Sequence, residues 1–221
     1  CVNGRWGAAY SKAVARLAHT TGVDGIGVVP DEWIYTNGRV KRRYSQSGNA
    51  ELAAFYQELP EYCDCDVCRR EFVDHYGVAY PEVTDLWSSD HPAWGFFVQF
   101  RIESTSRWIQ RTIEAVKSVA PGIVTDTMVS VHPICSDKRL LTGGAWDHIG
   151  KTTDLDCLQT DPYLLLHNYR GDSTHYYASE TALHLAAANW DGWAGVTLEA
   201  CRLRDTYRRK DPAEVYGTAL S

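Results

Sequence analysis

Hydrophobic and polar positions along the chain follow two periods, one typical of helices and the other of short buried strands. Over 10–18 the apolar residues share one helical face: Tyr10, Val14, Leu17 and Ala18. Gly22 ends that pattern, as glycine often does at the C-terminus of a helix. The mostly apolar run 23–29 then predicts a buried strand, which Pro30 closes.

The same alternation continues to the end of the chain. The sequence predicts a helix from the cysteine-rich stretch at 63–68 to about His75, stopped by Gly77, and a long helix over 94–119. Three more strands are expected, at 123–126, 155–160 and 194–199, with further helices near 176–189 and after 211. Strands that alternate with helices predict an α/β fold with a parallel sheet.

Composition narrows the class of protein without naming a function. Of 221 residues, 44% are hydrophobic and 23% are charged, and a net charge of -6 argues against a nucleic-acid partner. No apolar run is long enough to cross a membrane, so we expect a soluble protein with a single domain over 1–221. Seven clustered cysteines favour a reduced or metal-bound state; they leave the compartment open, with the cytoplasm favoured. Because a helical pattern begins almost at Cys1, we expect a cut N-terminus.

Carboxylates follow each of the four predicted strands. Residues just after parallel strands gather at one edge of a sheet, where active sites form. The acids at these positions are Asp31, Glu32, Asp126, Asp161 and Glu199. Since Asp is also common at helix N-caps, each one taken alone has a structural alternative.

Glu32 and Glu199 are the best candidates for a catalytic pair. Cleavage of a glycosidic bond needs one carboxyl group to protonate the leaving oxygen and another to attack or to activate water. Nearby aromatic residues such as Trp33 would suit the faces of a sugar. The alternatives are an exposed loop acid for Glu32 and, for Glu199, a buried acid paired with Arg202 or Arg204.

The stretch 63–68 (CDCDVC) places three cysteines within six residues. Cys63 and Cys65 are too close in sequence for an easy disulfide, whereas Cys63, Cys65 and Cys68 can converge on one metal ion. Zinc suits tetrahedral thiolate sites, while a disulfide or free thiols are the alternative. From the residues alone the fourth ligand stays open among four candidates: His75, Cys135, Cys157 and Cys201.

Several motifs together resemble the β-galactosidases of glycoside hydrolase family 42. They are Cys1-Val2-Asn3, Val23-Asp24-Gly25-Ile26, Asp31-Glu32, the cysteine stretch followed by Phe72, 124–128 (VTDTM), 155–163 (LDCLQTDPY) and 196–199 (VTLE). The resemblance covers nearly the whole chain, and the cysteine spacing is its most specific part. A related hydrolase-like barrel family with the same cysteine cluster is the second interpretation.

The resemblance implies a partial (β/α)8 TIM barrel in which strands four to seven are present. It makes Glu32 the acid/base and Glu199 the nucleophile of a retaining β-galactosidase-like hydrolase, with carboxyl groups about 5 to 5.5 Å apart. Asp161 and Tyr163 would line the sugar site, with Asp31, Trp33 and Asp126 as further substrate-binding candidates. It also supplies Cys1 as the fourth ligand of a structural zinc site, which has no open position for catalysis.

Two departures from the family define the alternatives. Asp31 stands where the family has Asn, which changes the contact with the sugar 2-hydroxyl and raises the proton affinity of Glu32. The chain is also short for a closed barrel, so we expect either a fragment or a pairing with another chain, such as a homo-oligomer. The alternative functions are a non-catalytic carbohydrate-binding or structural barrel with a zinc staple and, third, a zinc-dependent hydrolase.

Overall fold

The computed structural model of the chain describes residues 1–28, 50, 51, 54, 63–81, 91–128, 145–160 and 192–196. Four helices and four strands are described along these residues. They are α1 (Arg5–Thr21), β1 (Gly25–Gly27), α2 (Asp66–Tyr76), α3 (Trp94–Val119), β2 (Val124–Met128), α4 (Trp146–Thr152), β3 (Cys157–Thr160) and β4 (Trp193–Val196). Within this part of the chain, no helix is both long and apolar enough to cross a membrane.

The four strands form one parallel sheet in which chain order and spatial order coincide. β1 pairs with β2, β2 with β3 and β3 with β4. Helices α2 and α3 lie between β1 and β2, and α4 lies between β2 and β3, as parallel connections require. The sequence thus predicted the strands and their parallel arrangement, and the closure of this sheet into a barrel stays a prediction.

The two faces of the sheet differ in burial. Ile26 packs against residues of α1 and α3, and its register partner Thr125 is buried on the same face. Along β2, buried and partly exposed residues alternate, so that Asp126 lies on the face directed away from these helices. Gly27 and Cys157 are the register partners of Asp126 on either side.

Helix α1 packs on α3 through small residues. Its buried positions are Gly7, Ser11, Ala15 and Ala18, which recur at intervals of three and four residues. The Ser11 hydroxyl lies 2.8 Å from the Thr112 hydroxyl of α3, so a polar pair is satisfied inside this contact. Leu17, predicted on the buried face, is 55% exposed, because the face that meets α3 is the small-residue one.

Helix α2 and the start of α3 enclose a core of aromatic residues beside the cysteines. Its buried members are Cys68, Phe72, Tyr80, Ala93, Phe97 and Phe100. The Phe72 ring meets the rings of Tyr80 and Phe100 edge to face, with centroids 5.2 and 5.5 Å away. Burial of Phe72 therefore fixes the axis of α2, and with it the position of Cys68 one turn earlier.

Glycine ends α1 and α2 as the sequence predicted. Gly22 and Gly77 follow the two helices with φ of 62° and 67°, in the left-handed region that favours glycine. Helix α4 was not predicted. Its seven residues cover only two turns, which is too short for a helical period to be detected.

Candidate metal centre

Four cysteine side chains converge at one point beside the aromatic core. The Sγ atoms of Cys1, Cys63, Cys65 and Cys68 all lie within 4.8 Å of one another. The Cys1 sulfur lies 3.3 Å from those of Cys65 and Cys68, and the Cys63 sulfur lies 3.6 Å from the same two. This donor set can hold one metal ion, and it contains the three clustered cysteines together with Cys1.

The distances fit shared coordination and exclude disulfide bonding. A disulfide joins its sulfurs at about 2.05 Å, whereas these cysteines are all free thiols. A tetrahedral zinc ion with Zn–S bonds of about 2.3 Å separates its sulfurs by about 3.8 Å. The observed separations of 3.3 and 3.6 Å are slightly shorter than that value.

The start of α2 presents three of the four sulfurs. Cys65 is the N-cap residue, and its carbonyl accepts the Arg69 amide proton at 3.0 Å. Cys68 lies in the first turn and is buried, while Cys63 and Cys65 lie in the extended segment just before the helix. The positive end of the helix dipole therefore lies beside the sulfurs, where it favours thiolates.

A hydrogen bond between two of the sulfurs shifts the pKa values of Cys63 and Cys68 in opposite directions. The thiol of Cys68 donates to Cys63, which lowers the pKa of Cys63 to about 5 despite partial burial. The same hydrogen bond, together with burial, raises the pKa of Cys68. One thiolate is therefore stabilised by its neighbour, and a metal ion that replaces the remaining thiol protons would bind all four sulfurs as thiolates.

Polar contacts brace the loop that carries Cys63 and Cys65. Arg69 forms a two-pronged ion pair with Asp64, with nitrogen to oxygen distances of 2.6 Å. The Tyr80 hydroxyl donates to the Cys63 carbonyl at 2.7 Å. Both contacts fix the backbone at Cys63 and Asp64, so the loop geometry does not depend on the sulfurs alone.

Two of the other proposed fourth ligands lie elsewhere. The Nε2 atom of His75 is 3.7 Å from a Glu103 carboxylate oxygen, and Cys157 belongs to β3. Cys135 and Cys201 fall outside the residues that the structure describes. Among the described residues, Cys1 is thus the residue that completes the set, as the family resemblance implied.

Most of the predicted sugar site falls outside the described part of the chain. The residues concerned are the catalytic candidates Glu32 and Glu199 and the substrate-binding candidates Asp31, Trp33, Asp161 and Tyr163. Their arrangement stays a prediction. Asp126 is the described member of the predicted sugar site.

Asp126 occupies a confined position between two neighbouring strands. A Cβ atom at Gly27 would lie 2.7 Å from the Asp126 Oδ1 atom, so the carboxylate uses space that a side chain at position 27 would fill. Burial raises the pKa of Asp126 above its ordinary value. Burial, followed by the nearby Asp126 and Asp156 carboxylates, likewise raises the pKa of the Cys157 thiol.

No family model and no curated protein sequence matches this chain. A solved structure to which it is similar is a cold-adapted β-galactosidase from Rahnella sp. R3, with a TM-score of 0.48 and 15% sequence identity. The match covers 96% of this chain and 31% of that one, so the chain spans less than a third of that β-galactosidase. The neighbour is a glycoside hydrolase, but at this TM-score it assigns neither fold nor function to the chain.

No local spacing in the sequence predicted the contacts that support Cys1. Asn3 donates from Nδ2 to the Cys68 sulfur at 3.6 Å and to the Ser104 hydroxyl at 3.0 Å. Arg111 donates to the Val2 carbonyl at 2.7 Å. These partners are separated from the N-terminal residues by 65 to 109 positions, and no local spacing signals such contacts.

Proposed function

We propose that Cys1, Cys63, Cys65 and Cys68 bind one zinc ion, which links the N-terminal segment to the start of α2. The observation that supports this is the convergence of four sulfurs within 4.8 Å. Four thiolates in tetrahedral arrangement suit zinc or iron, and a closed set of this kind is typical of structural zinc. Because no position is left for a substrate, the ion would stabilise the fold and take no part in catalysis.

Metal analysis of two cysteine variants tests this assignment. The chain purified with zinc should carry one zinc ion per molecule, and Cys1→Ser should lower zinc affinity about 10-fold or more, because one thiolate is lost. Cys157→Ser is the matched control, since Cys157 lies outside the cluster. A chain that binds no zinc, or a Cys1→Ser variant with unchanged affinity, would contradict the proposal.

We further propose that the parallel sheet is part of a (β/α)8 barrel. Parallel sheets are normally covered on both faces, and here α1 and α3 cover one face while Asp126 lies on the other. A barrel covers the second face with its own remaining strands. The coincidence of chain order and spatial order in β1 to β4 is also the order of strands in such a barrel.

Within this barrel we infer a retaining glycoside hydrolase that acts on a β-linked sugar, with a galactoside as the preferred candidate. The observation that carries the inference is the position of Cys1. The family resemblance implied that Cys1 joins a cluster more than 60 residues away, and it lies 3.3 Å from Cys65 and Cys68. The same resemblance assigns the roles of Glu32 and Glu199.

The proposed chemistry requires the sheet to curve. Glu32 follows β1 and Glu199 follows β4, the two outer strands of the four. In a flat sheet those strands would be three spacings apart, about 14 Å, whereas a retaining pair needs carboxyl groups about 5 to 5.5 Å apart. In a barrel, side chains at these strand ends point toward each other across the interior, which brings the carboxyl groups closer.

In the proposed reaction Glu199 attacks the anomeric carbon while Glu32 protonates the departing glycosidic oxygen. A covalent glycosyl ester forms as the glycosidic bond breaks. Glu32, now a carboxylate, then removes a proton from water, which attacks the anomeric carbon and displaces Glu199 as a carboxylate. Asp31, Trp33, Asp126, Asp161 and Tyr163 are the proposed sugar contacts.

Leaving groups of different acidity distinguish the two glutamates. We expect Glu199→Ala to abolish hydrolysis of all aryl β-galactosides, because no covalent ester can form. Glu32→Ala should slow formation of the ester about 10²- to 10⁴-fold for a poor leaving group, and much less for dinitrophenol, which needs no proton. Unchanged turnover by Glu199→Ala would contradict the assigned roles.

A specific observation supports the non-catalytic alternative. Asp31 replaces the Asn that the family resemblance places next to the acid/base, so a carboxylate would face the sugar 2-hydroxyl. An oligosaccharide that binds without release of reducing sugar, both in the unaltered chain and in Asp31→Asn, would favour this alternative. Gain of turnover in Asp31→Asn would instead show that the remaining catalytic machinery is intact.

A further inference from the structure

We propose that Gly7, Arg111 and Asn3 are positioning residues that hold Cys1 in the metal-binding cluster. The inference rests on the proposed zinc site and goes beyond its four ligands. In this proposal α1 and α3 position Cys1, the ligand that does not come from the α2 segment.

Cys1 needs such support more than the other three cysteines. Cys63, Cys65 and Cys68 lie within six residues of one another at the start of α2, so the local backbone already brings them together. Cys1 is exposed and comes from a separate segment. Its contribution to the cluster therefore depends on where residues 1–3 are held.

The first contact is with the N-terminus of α1. The Cys1 carbonyl accepts hydrogen bonds from the amides of Gly4 at 3.4 Å and Gly7 at 3.2 Å. The first amides of a helix have no partner within it, and no side chain caps those of α1. The Cys1 peptide thus takes the place of a side-chain cap, and the chain turns back over the helix end.

Gly7 provides the space for this turn. A Cβ atom at position 7 would collide with the Val2 carbonyl oxygen and would lie 2.7 Å from its carbonyl carbon. Glycine inside a helix costs about 1 kcal/mol relative to alanine, so its presence in α1 needs a packing reason. The approach of Val2 is that reason, and a side chain at position 7 would displace the segment that carries Cys1.

Helix α3 holds the next two residues. Arg111 donates to the Val2 carbonyl at 2.7 Å, and the Val2 side chain is only 2% exposed. Asn3 donates to the Ser104 hydroxyl at 3.0 Å and to the Cys68 sulfur at 3.6 Å. Each of the first three residues is therefore fixed by a different contact, and the Asn3 side-chain amide also stabilises charge on a ligand sulfur.

Zinc and cobalt titrations of glycine variants test the proposal. Gly7→Ala should weaken zinc binding about 10- to 100-fold in competition with a chelator, which is the range for residues that orient ligands. The cobalt-loaded variant should lose about a quarter of its sulfur-to-metal charge-transfer absorbance, because three thiolates remain of four. Gly95→Ala in α3 is the matched control, since a Cβ atom there meets nothing within 4 Å.

Each outcome has a distinct meaning. If the unaltered chain binds neither metal, the proposed zinc site fails. If the unaltered chain binds zinc and Gly7→Ala binds it equally tightly with the same cobalt spectrum, the positioning role of Gly7 is wrong while the zinc site stands. If Gly7→Ala does not fold by circular dichroism, Arg111→Gln decides: it should weaken zinc binding, with partial recovery in Arg111→Lys, and unchanged affinity would overturn the proposal.

Discussion

Asp126 is the member of the predicted sugar site that the structure describes. Its carboxylate lies on the sheet face away from α1 and α3, next to Gly27, and burial raises its pKa. A partly buried acid costs stability when it is ionised, and groups with shifted pKa values occur at functional sites as well as in structural networks. The substrate-binding role of Asp126 stays a prediction.

The stability of Asp126→Asn gives a test at this scale. The folded pKa of Asp126 is raised, so ionisation destabilises the native state above that pKa, and the penalty disappears once both states are protonated. We expect Asp126→Asn to raise the free energy of unfolding at pH 7 by about 0.5 kcal/mol, with the gain vanishing near pH 3.

Urea unfolding at the two pH values measures this difference. Asp24→Asn is the control, since Asp24 is an exposed aspartate just before β1. A loss of stability in Asp126→Asn at pH 7 would show instead that the carboxylate accepts stabilising hydrogen bonds.

The cysteine site shows what single residues in the sequence can predict. Close spacing identified Cys63, Cys65 and Cys68, because ligands on one short segment must lie near one another. It could not choose Cys1 over His75 or Cys157, since the fourth ligand depends on how separate segments meet in space. Family resemblance supplied that choice, and the 3.3 Å contact of Cys1 with Cys68 agrees with it.

At the scale of elements, periodicity predicted the long helices and the positions of the strands, whereas β1, predicted as a buried strand, is exposed at Gly25 and Gly27. The ends of α1 and α2 followed from Gly22 and Gly77, and the bounds of the long helix, Trp94–Val119, agree with the prediction. Periodicity failed where an element is short, as in α4, or where a helix packs through small residues. In α1 the buried face carries Gly7 and Ser11, which a search for large apolar side chains does not detect.

The elements also explain why a metal would be useful. Three elements meet at the cysteines, namely the segment before α1, the start of α2 and the middle of α3. α1 packs closely on α3, whereas α2 meets α3 through aromatic rings and through polar contacts to Glu103. A metal ion bound by Cys1 and the α2 cysteines would add a direct link between α2 and the segment that precedes α1.

At the scale of the whole molecule, the described strands form a sheet whose outer members, β1 and β4, each pair on one side. Closure into a barrel would pair the free edges of β1 and β4 and would cover the second face of the sheet. The proposed catalytic glutamates follow these two outer strands, so the proposed barrel and the proposed hydrolase depend on the same curvature. The proposed zinc site depends neither on the barrel nor on the hydrolase activity, because its four cysteines all lie among the described residues.

The measurement that tests the central claim most directly is X-ray absorption at the zinc edge on the zinc-loaded chain. Four sulfur neighbours at about 2.3 Å, with no nitrogen or oxygen in the first shell, are predicted from the four converging sulfurs. Fewer than four sulfur neighbours, or a shell completed by histidine or water, would contradict the account.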